Sequence, residues 1–477
     1  MRKKGSVTVF LTLILSLLLS LICASIESVR MASARTQILN GMDIGLYSLF
    51  GQYDKELLTD YDLFALDGSR GGGQLDLAAV CDELEAYMNP VLKQNSQKLT
   101  LCQSGLTGYR LLTDQKGEAF YQQIVGYMQE TLGSQGIQLL LGRMSERQEK
   151  TAQADQSANQ AQSKGSIDRY DSEMNQASEK SQQAAEEAQV VPQAPPAKNP
   201  ITIMKRIMKR GVLELVLPGG NGLSTKEIEK GTLVSGRGLQ QGMEMPDGMT
   251  VENSYTSEVF FQQYLMEHLG SYAEPSSTGL AYQVEYIFGG KDSDEDNLKA
   301  VASKLLFIRE GVNFACLMAD NVKRSEAQAL ATAIASGFLV PPAAVIIEAA
   351  LILCWAFAES VLDVRELFAG GRIPLVKSSG DWQISLENLP DLMEGLDSMR
   401  RNDEQGMSYK DYLQVLVLTV SKEKKVMRAM DMIENTIREK GRKNFCMDSC
   451  IVALEAFADV KANKKKDFQV IRQYCYE

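Results

Sequence analysis

The sequence predicts a helix-rich α+β protein carried on one long N-terminal membrane helix. Three observations support that expectation. Residues 7–26 (VTVFLTLILSLLLSLICASI) carry no charge, and apolar residues then recur at helical spacing through Leu58. Residues 292–320 repeat the helical pattern on one face, with Leu298, Val301, Leu305, Ile308 and Val312. Near the end, the apolar, β-prone segments 448–460 and 468–476 flank Asn463-Lys464-Lys465-Lys466, which predicts a hairpin and a small antiparallel sheet.

In chain order, residues 1–6 form a basic N-terminus. Arg2, Lys3 and Lys4 hold it in the cytoplasm by the positive-inside rule, so the body lies outside the cytoplasmic membrane. Twenty uncharged residues at ~1.5 Å each reach about 30 Å, the hydrocarbon thickness of a bilayer. A cleaved signal has a shorter apolar core and a small-x-small site. Ile22, just before Cys23, fits neither that site nor a lipidation signal. The segment 27–149 reads as mostly helical and extracytoplasmic, continuing the anchor helix through Ile38, Met42, Leu46, Leu49 and Phe50, although Gly41, Gly45 and Gly51 weaken it.

Residues 150–200 are a low-complexity linker or insertion, rich in Gln, Ala, Ser, Glu and Lys and ending in Val191-Pro192-Gln193-Ala194-Pro195-Pro196. Residues 201–477 form the α+β domain. Segment 279–288 alternates and reads as a strand, as does 381–386. Two apolar runs within 327–358 meet at Pro341-Pro342. Each is shorter than the ~20 residues of a membrane span, so a buried helical hairpin is expected.

Composition narrows the function. With 50 basic and 61 acidic residues the chain carries a net charge of −11, which disfavours a general nucleic-acid binder. His268 is the single histidine, which nearly removes His-based metal and protease sites; a surface helix position is expected for it. Asp292, Asp294 and Asp296 open like a calcium loop, but Asn297 and Ser303 replace its glycine and its last glutamate. Gly289-Gly290-Lys291 and Gly236-Arg237-Gly238 each depart from the phosphate-binding patterns they suggest. Of eight cysteines, Cys23 lies in the anchor. Cys446 and Cys450 make no CxxC pair, Cys81 and Cys102 are disulfide candidates in an oxidising compartment, and free thiols are expected for most. The expectation is therefore no catalytic residue, no metal and no cofactor.

Lys4-Gly5-Ser6-Val7-Thr8-Val9-Phe10, the apolar run and Glu27-Ser28-Val29-Arg30 resemble the start of pilin-like proteins of tight-adherence (Tad) pilus systems. That resemblance implies cleavage between Gly5 and Ser6 and assembly through the apolar helix. The fifth residue after the cut is usually glutamate in true pilins and is Phe10 here. A second resemblance rests on Tyr53-Asp54-Lys55-Glu56-Leu57-Leu58 with 61–66, on Leu298-Lys299-Ala300-Val301 with Ile308-Arg309-Glu310, and on 355–365 (WAFAESVLDVR). It is to an uncharacterised membrane-anchored family of Gram-positive bacteria. Together they imply a single-pass, surface-facing, non-enzymatic accessory of a Tad-like pilus or secretion apparatus. Its partners would be membrane lipid and other apparatus subunits. A surface binding module or adhesin is the alternative, and a carboxylate-only hydrolase the third reading, requiring a cleft with two facing acids ~5–10 Å apart.

Overall fold

The computed structural model describes residues 4–94, 99–164, 199–217, 222–243, 245, 254–337, 343–395, 406–462 and 466–476, with Tyr170, Ser172, Asn175, Gln176 and Glu179. In chain order the main elements are α1 (Lys4–Phe50), α2 (Lys55–Tyr61), β1 (Leu66–Asp67), α3 (Leu77–Lys93), β2 (Leu99–Leu111), α4 (Asp114–Thr131) and α5 (Ser134–Lys164). Then come α6 (Pro200–Met208), α7 (Tyr255–His268), α8 (Gln283–Gly289), α9 (Asp294–Ala319), α10 (Asn321–Gly337) and α11 (Ala344–Phe368). The chain closes with β3 (Arg372–Ile373), β4 (Met407–Ser408), α12 (Tyr409–Leu418), α13 (Lys422–Glu439), β5 (Cys450–Ala462) and β6 (Lys466–Cys475). The fold is helix-rich α+β, as the sequence predicts.

Two compact units divide the chain, and they are interleaved rather than successive. Residues 231–252 and 433–477 belong with 1–127 in the first unit; 128–230 and 253–432 make the second. The expected linear boundary near residue 200 therefore does not separate them.

In the first unit, α1 buries Ala34, Ile38, Met42, Leu46 and Leu49 at steps of three or four residues, and α3 buries Val80, Leu84, Met88 and Leu92 in the same way. Both stripes share one core with Leu454, Ala456, Ala458, Val460 and Ala462, the alternate residues of β5. β5 is the sheet's centre, antiparallel to β1, β2 and β6. The hairpin β5–β6 agrees with expectation, although 463–465 lie outside the described residues. β2 does not: the segment 27–149 is not helical throughout. Register shifts at 101/103, 106/108 and 110/111 break the period-two pattern that would mark a strand. The helix-weakening glycines of α1 have a use. A Cβ at Gly45 would stand 2.6 Å from the Met88 side chain, and one at Gly41 3.3 Å from Leu92, so their absence lets α3 approach closely.

In the second unit, Ser293 caps α9, accepting from the Asp296 N–H at 3.1 Å, and all five residues of the expected α9 face are buried. α10 and α11 pack on each other through Ala327, Ala331, Ile334 and Ala335 on one side and the almost wholly buried α11 on the other. The turn at Pro341-Pro342 lies outside the described residues. The expected strand 279–288 is instead the helix α8. Residues 280–287 are all buried, so neither a helical nor a strand face stands out, and Gly290 closes the helix in the left-handed conformation at φ 62°. The expected strand 381–386 is irregular, bounded by two 3-10 turns. Its Gln383 and Ile384 N–H groups donate to the Glu359 carboxylate instead of a neighbouring strand. Residues 150–164 of the expected linker continue α5 and bury Thr151, Ala154 and Ala158. Most of 165–198 lies outside the described residues.

Candidate functional site

Three places in the molecule have functional potential: the exposed half of α1, the buried ion networks, and a cleft in the second unit.

α1 is one helix of 47 residues with two different surfaces. From Val7 to Arg30 every residue is exposed, and the run passes as long and apolar enough to cross a membrane. Hydroxyls within the apolar run are satisfied by its own backbone. The hydroxyls of Thr12, Ser16, Ser20 and Ser25 donate to Val9, Leu13, Leu17 and Leu21 carbonyls at 2.8–2.9 Å, so none of these four is left without an acceptor. The C-terminal half is clamped to its own unit. Arg472 Nε lies 2.9 Å from Asp43, Tyr476 donates to the Phe50 carbonyl at 2.6 Å, and Phe50 packs between the Tyr474 and Tyr476 rings. Lys4, Gly5 and Ser6 have helical backbone at the start of α1, whereas Arg2 and Lys3 lie outside the described residues.

The second unit holds a sealed charge quartet. Arg309 reaches Asp363 through Nη2 at 2.7 Å and Nε at 3.0 Å, while Lys377 bridges Asp363 and Glu359. Asn313 and Ser360 complete the cluster, and the four ionic side chains are at most 3% exposed. Burial alone would raise the Asp363 carboxyl; Arg309 and then Lys377 overcome it and hold it at about 2. In the same unit, Glu285 is fully buried. Desolvation pushes it up to about 7, against hydrogen bonds from Tyr409 at 2.6 Å and the Tyr272 N–H at 2.8 Å. Its Oε2 has no partner among the described residues.

The first unit has its own networks. Arg237 binds Glu434 and Asp448, with Arg438 on the same Glu434, and Arg442 bridges Asp54, Glu56 and Asp67.

These networks absorb the residues that suggested a family. Arg309 comes from 308–310, and Glu359, Ser360 and Asp363 from 355–365; Asp54 and Glu56 come from 53–58. The two sets in the second unit meet in space across 54 positions of sequence. Residues 192–462, more than half of the chain, match a family of unknown function, DUF5702. The chain belongs to this family. No curated protein and no solved structure matches it. In this DUF5702 chain, segments 308–310 and 355–365 lie inside the family match and 53–66 lies outside it.

The remaining sequence candidates are dispersed. Asp294 is buried and accepts from Ala281 and Tyr282 N–H groups and from Ser224; Asp296 pairs with Ser293, and Asp292 with Lys230. They do not converge on a common point, and no metal-sized group of three His, Cys, Asp or Glu gathers among the described residues. His268 ends α7 and stacks on Tyr264. Cys81 and Cys102 are free thiols, as are the other six.

The cleft, about 1100 Å³, is the feature that sequence reading missed. Arg143, Arg147 and Lys150 line it from α5 at helical spacing, with Arg372 from β3 and a floor that includes Val312, Ala315 and Ala319 of α9. Among the described residues Glu146 is the single carboxylate in its lining, so they form no facing acid pair of the glycosidase kind there. The basic stripe was visible in the sequence, at the edge of a segment whose composition suggested a solvated linker.

Proposed function

We propose that this DUF5702 protein is a membrane-anchored, extracytoplasmic structural component that serves a Tad-like pilus or secretion apparatus and catalyses no reaction. The observation that carries the proposal is the division of α1 into an exposed apolar half and a half buried in its own unit. A helix that leaves the bilayer and enters a core without a break is a rigid anchor, suited to holding a body at a fixed place in an assembly. The neutral, sealed quartet around Arg309 supports the non-catalytic part, since its charges are matched and closed to substrate. Membrane lipid and neighbouring apparatus subunits are the partners, met through the apolar half of α1. Arg2, Lys3 and Lys4 orient the body outward.

The test is to recover the full chain from its native membrane and determine intact mass, N-terminal sequence and sensitivity to protease added outside intact cells. Expected are resistance to alkaline extraction, degradation from outside, and a new N-terminus at Ser6. An N-terminus at Met1 would remove the pilin-type part of the proposal; protection from external protease would overturn the topology.

A further inference from the structure

The cleft in the second unit has a cause and a charge. α5 and α9 touch closely where a Cβ on Gly311 would lie 2.1 Å from Ala158, a contact only glycine permits. The cleft's lining starts beside that contact, at Ser157 and Val312, and continues past the small residues Ala154, Ala315 and Ala319. Two helices held tight at one point and lined by small side chains beyond it leave an open trough. Its rim is unusual for a chain of net charge −11: four cations against one carboxylate. Arg147 is held by Asp411 at 2.7 Å and Lys150 by Glu146. Arg143 has no anionic partner among the described residues, and Arg372 donates to the uncharged Gly406 carbonyl at 3.2 Å. Two guanidinium groups therefore face the trough from α5 and β3 without a carboxylate among the described residues to neutralise them.

We propose that this trough is a docking site for an extended acidic segment of a partner protein, with aliphatic side chains alternating with carboxylates. An extended chain turns successive side chains to opposite sides. Aliphatic residues can then enter the floor of Val312, Ala315 and Ala319 while carboxylates reach Arg143 and Arg372, whose planar forks take carboxylates in bidentate fashion. Among the described residues no aromatic ring lines the trough, so they offer no stacking platform for a sugar or a nucleobase. The cleft is not enclosed, which would leave the alkyl tail of a lipid partly in water. All the lining residues belong to the second unit, and the site does not depend on the membrane reading.

The experiment uses the full chain in detergent micelles and a fluorescein-labelled peptide of four Glu-Val repeats, read by anisotropy. Binding is expected, with at least tenfold weaker binding for the double variant Arg143→Glu, Arg372→Glu, and at least tenfold weaker binding of a Glu-Ser peptide of equal charge. An unchanged thermal midpoint shows that the variant is folded, and Arg143→Glu alone, at an exposed position, serves if the double variant is not. Equal binding by the charge-reversed chain overturns the site. Equal binding of the Glu-Ser peptide, or displacement by anionic phosphatidylglycerol vesicles but not by unlabelled Glu-Val peptide, overturns the peptide assignment.

Discussion

Buried charge is arranged in this protein so that pairs, not single residues, are the units of stability. Arg309 touches Asp363, two backbone carbonyls and Tyr412, all within a fully enclosed site. Arg309→Met should therefore cost about 3–5 kcal/mol in urea unfolding, because Asp363 keeps its burial and loses its main counter-charge. Replacing Arg309 together with Asp363 by apolar residues of similar size should recover part of that loss. A second residue-scale effect is the pH profile. Glu285 and Glu310 are both pushed up to about 7 by burial. Between pH 4.5 and 7 the unfolded chain has lost these protons and the folded chain keeps them, so stability falls as pH rises. For Glu285 alone the displacement from 4.5 corresponds to about 3 kcal/mol. Asp363, held at about 2, works in the opposite sense, and its contribution is lost below about pH 4. The denaturation midpoint should thus be highest near pH 5, and Glu285→Gln should flatten the alkaline side while leaving the acid side unchanged. A midpoint that rises steadily to pH 8 would show that Glu285 is ionised in the native state at little penalty.

At the scale of elements, what the sequence revealed was local and what it hid was not. α9 was legible because Leu298, Val301, Leu305, Ile308 and Val312 repeat on one face, and the hairpin β5–β6 because two β-prone segments flank a polar turn. α8 was not, because burial on every side removes the contrast that a period needs, and β2 was not, because its bulges shift the phase of its alternation. The same limit applies to the charge quartet: Arg309, Asp363 and Lys377 are ordinary charged residues until tertiary structure brings α9, α11 and the segment after β3 together. Gly41 and Gly45 show how an element-level reading changes with its neighbour. As isolated helix residues they are weaknesses of roughly 1 kcal/mol each; against α3 they are the clearance that the interface requires. Gly45→Leu should lower stability by about 1–3 kcal/mol through overpacking against Met88 and Leu84, although it raises helix propensity. Gly41→Ala, whose tightest neighbour is the flexible end of Leu92 at 3.3 Å, should be close to neutral. If calorimetry found both variants stabilising, α3 would have to have room that the close contacts deny it.

At the scale of the whole molecule, two helices among the described residues are long and apolar enough to cross a membrane, and apolarity alone does not separate an anchor from a core helix. The window in α1 is 0% buried within the protein, while that in α11 is 83% buried. On the proposed anchor role, this difference makes the exposed window the one that meets lipid and the buried one part of a protein core, because a side chain already enclosed by protein gains nothing from a bilayer. It also explains the polar residues each helix tolerates. α1 hides its hydroxyls on its own backbone, whereas α11 carries Glu359 and Asp363, which only the cations of its own unit can accommodate. Matched lysine substitutions distinguish the two roles. Leu18→Lys sits mid-way along the exposed run and should weaken insertion by roughly 3 kcal/mol, moving the chain to the extractable fraction with an unchanged thermal midpoint. Leu351→Lys, at a position with no solvent exposure, should leave membrane attachment intact and abolish the cooperative unfolding of the body. Should Leu351→Lys also release the chain while the midpoint stays put, α11 would be a second span and the single-anchor topology would be wrong.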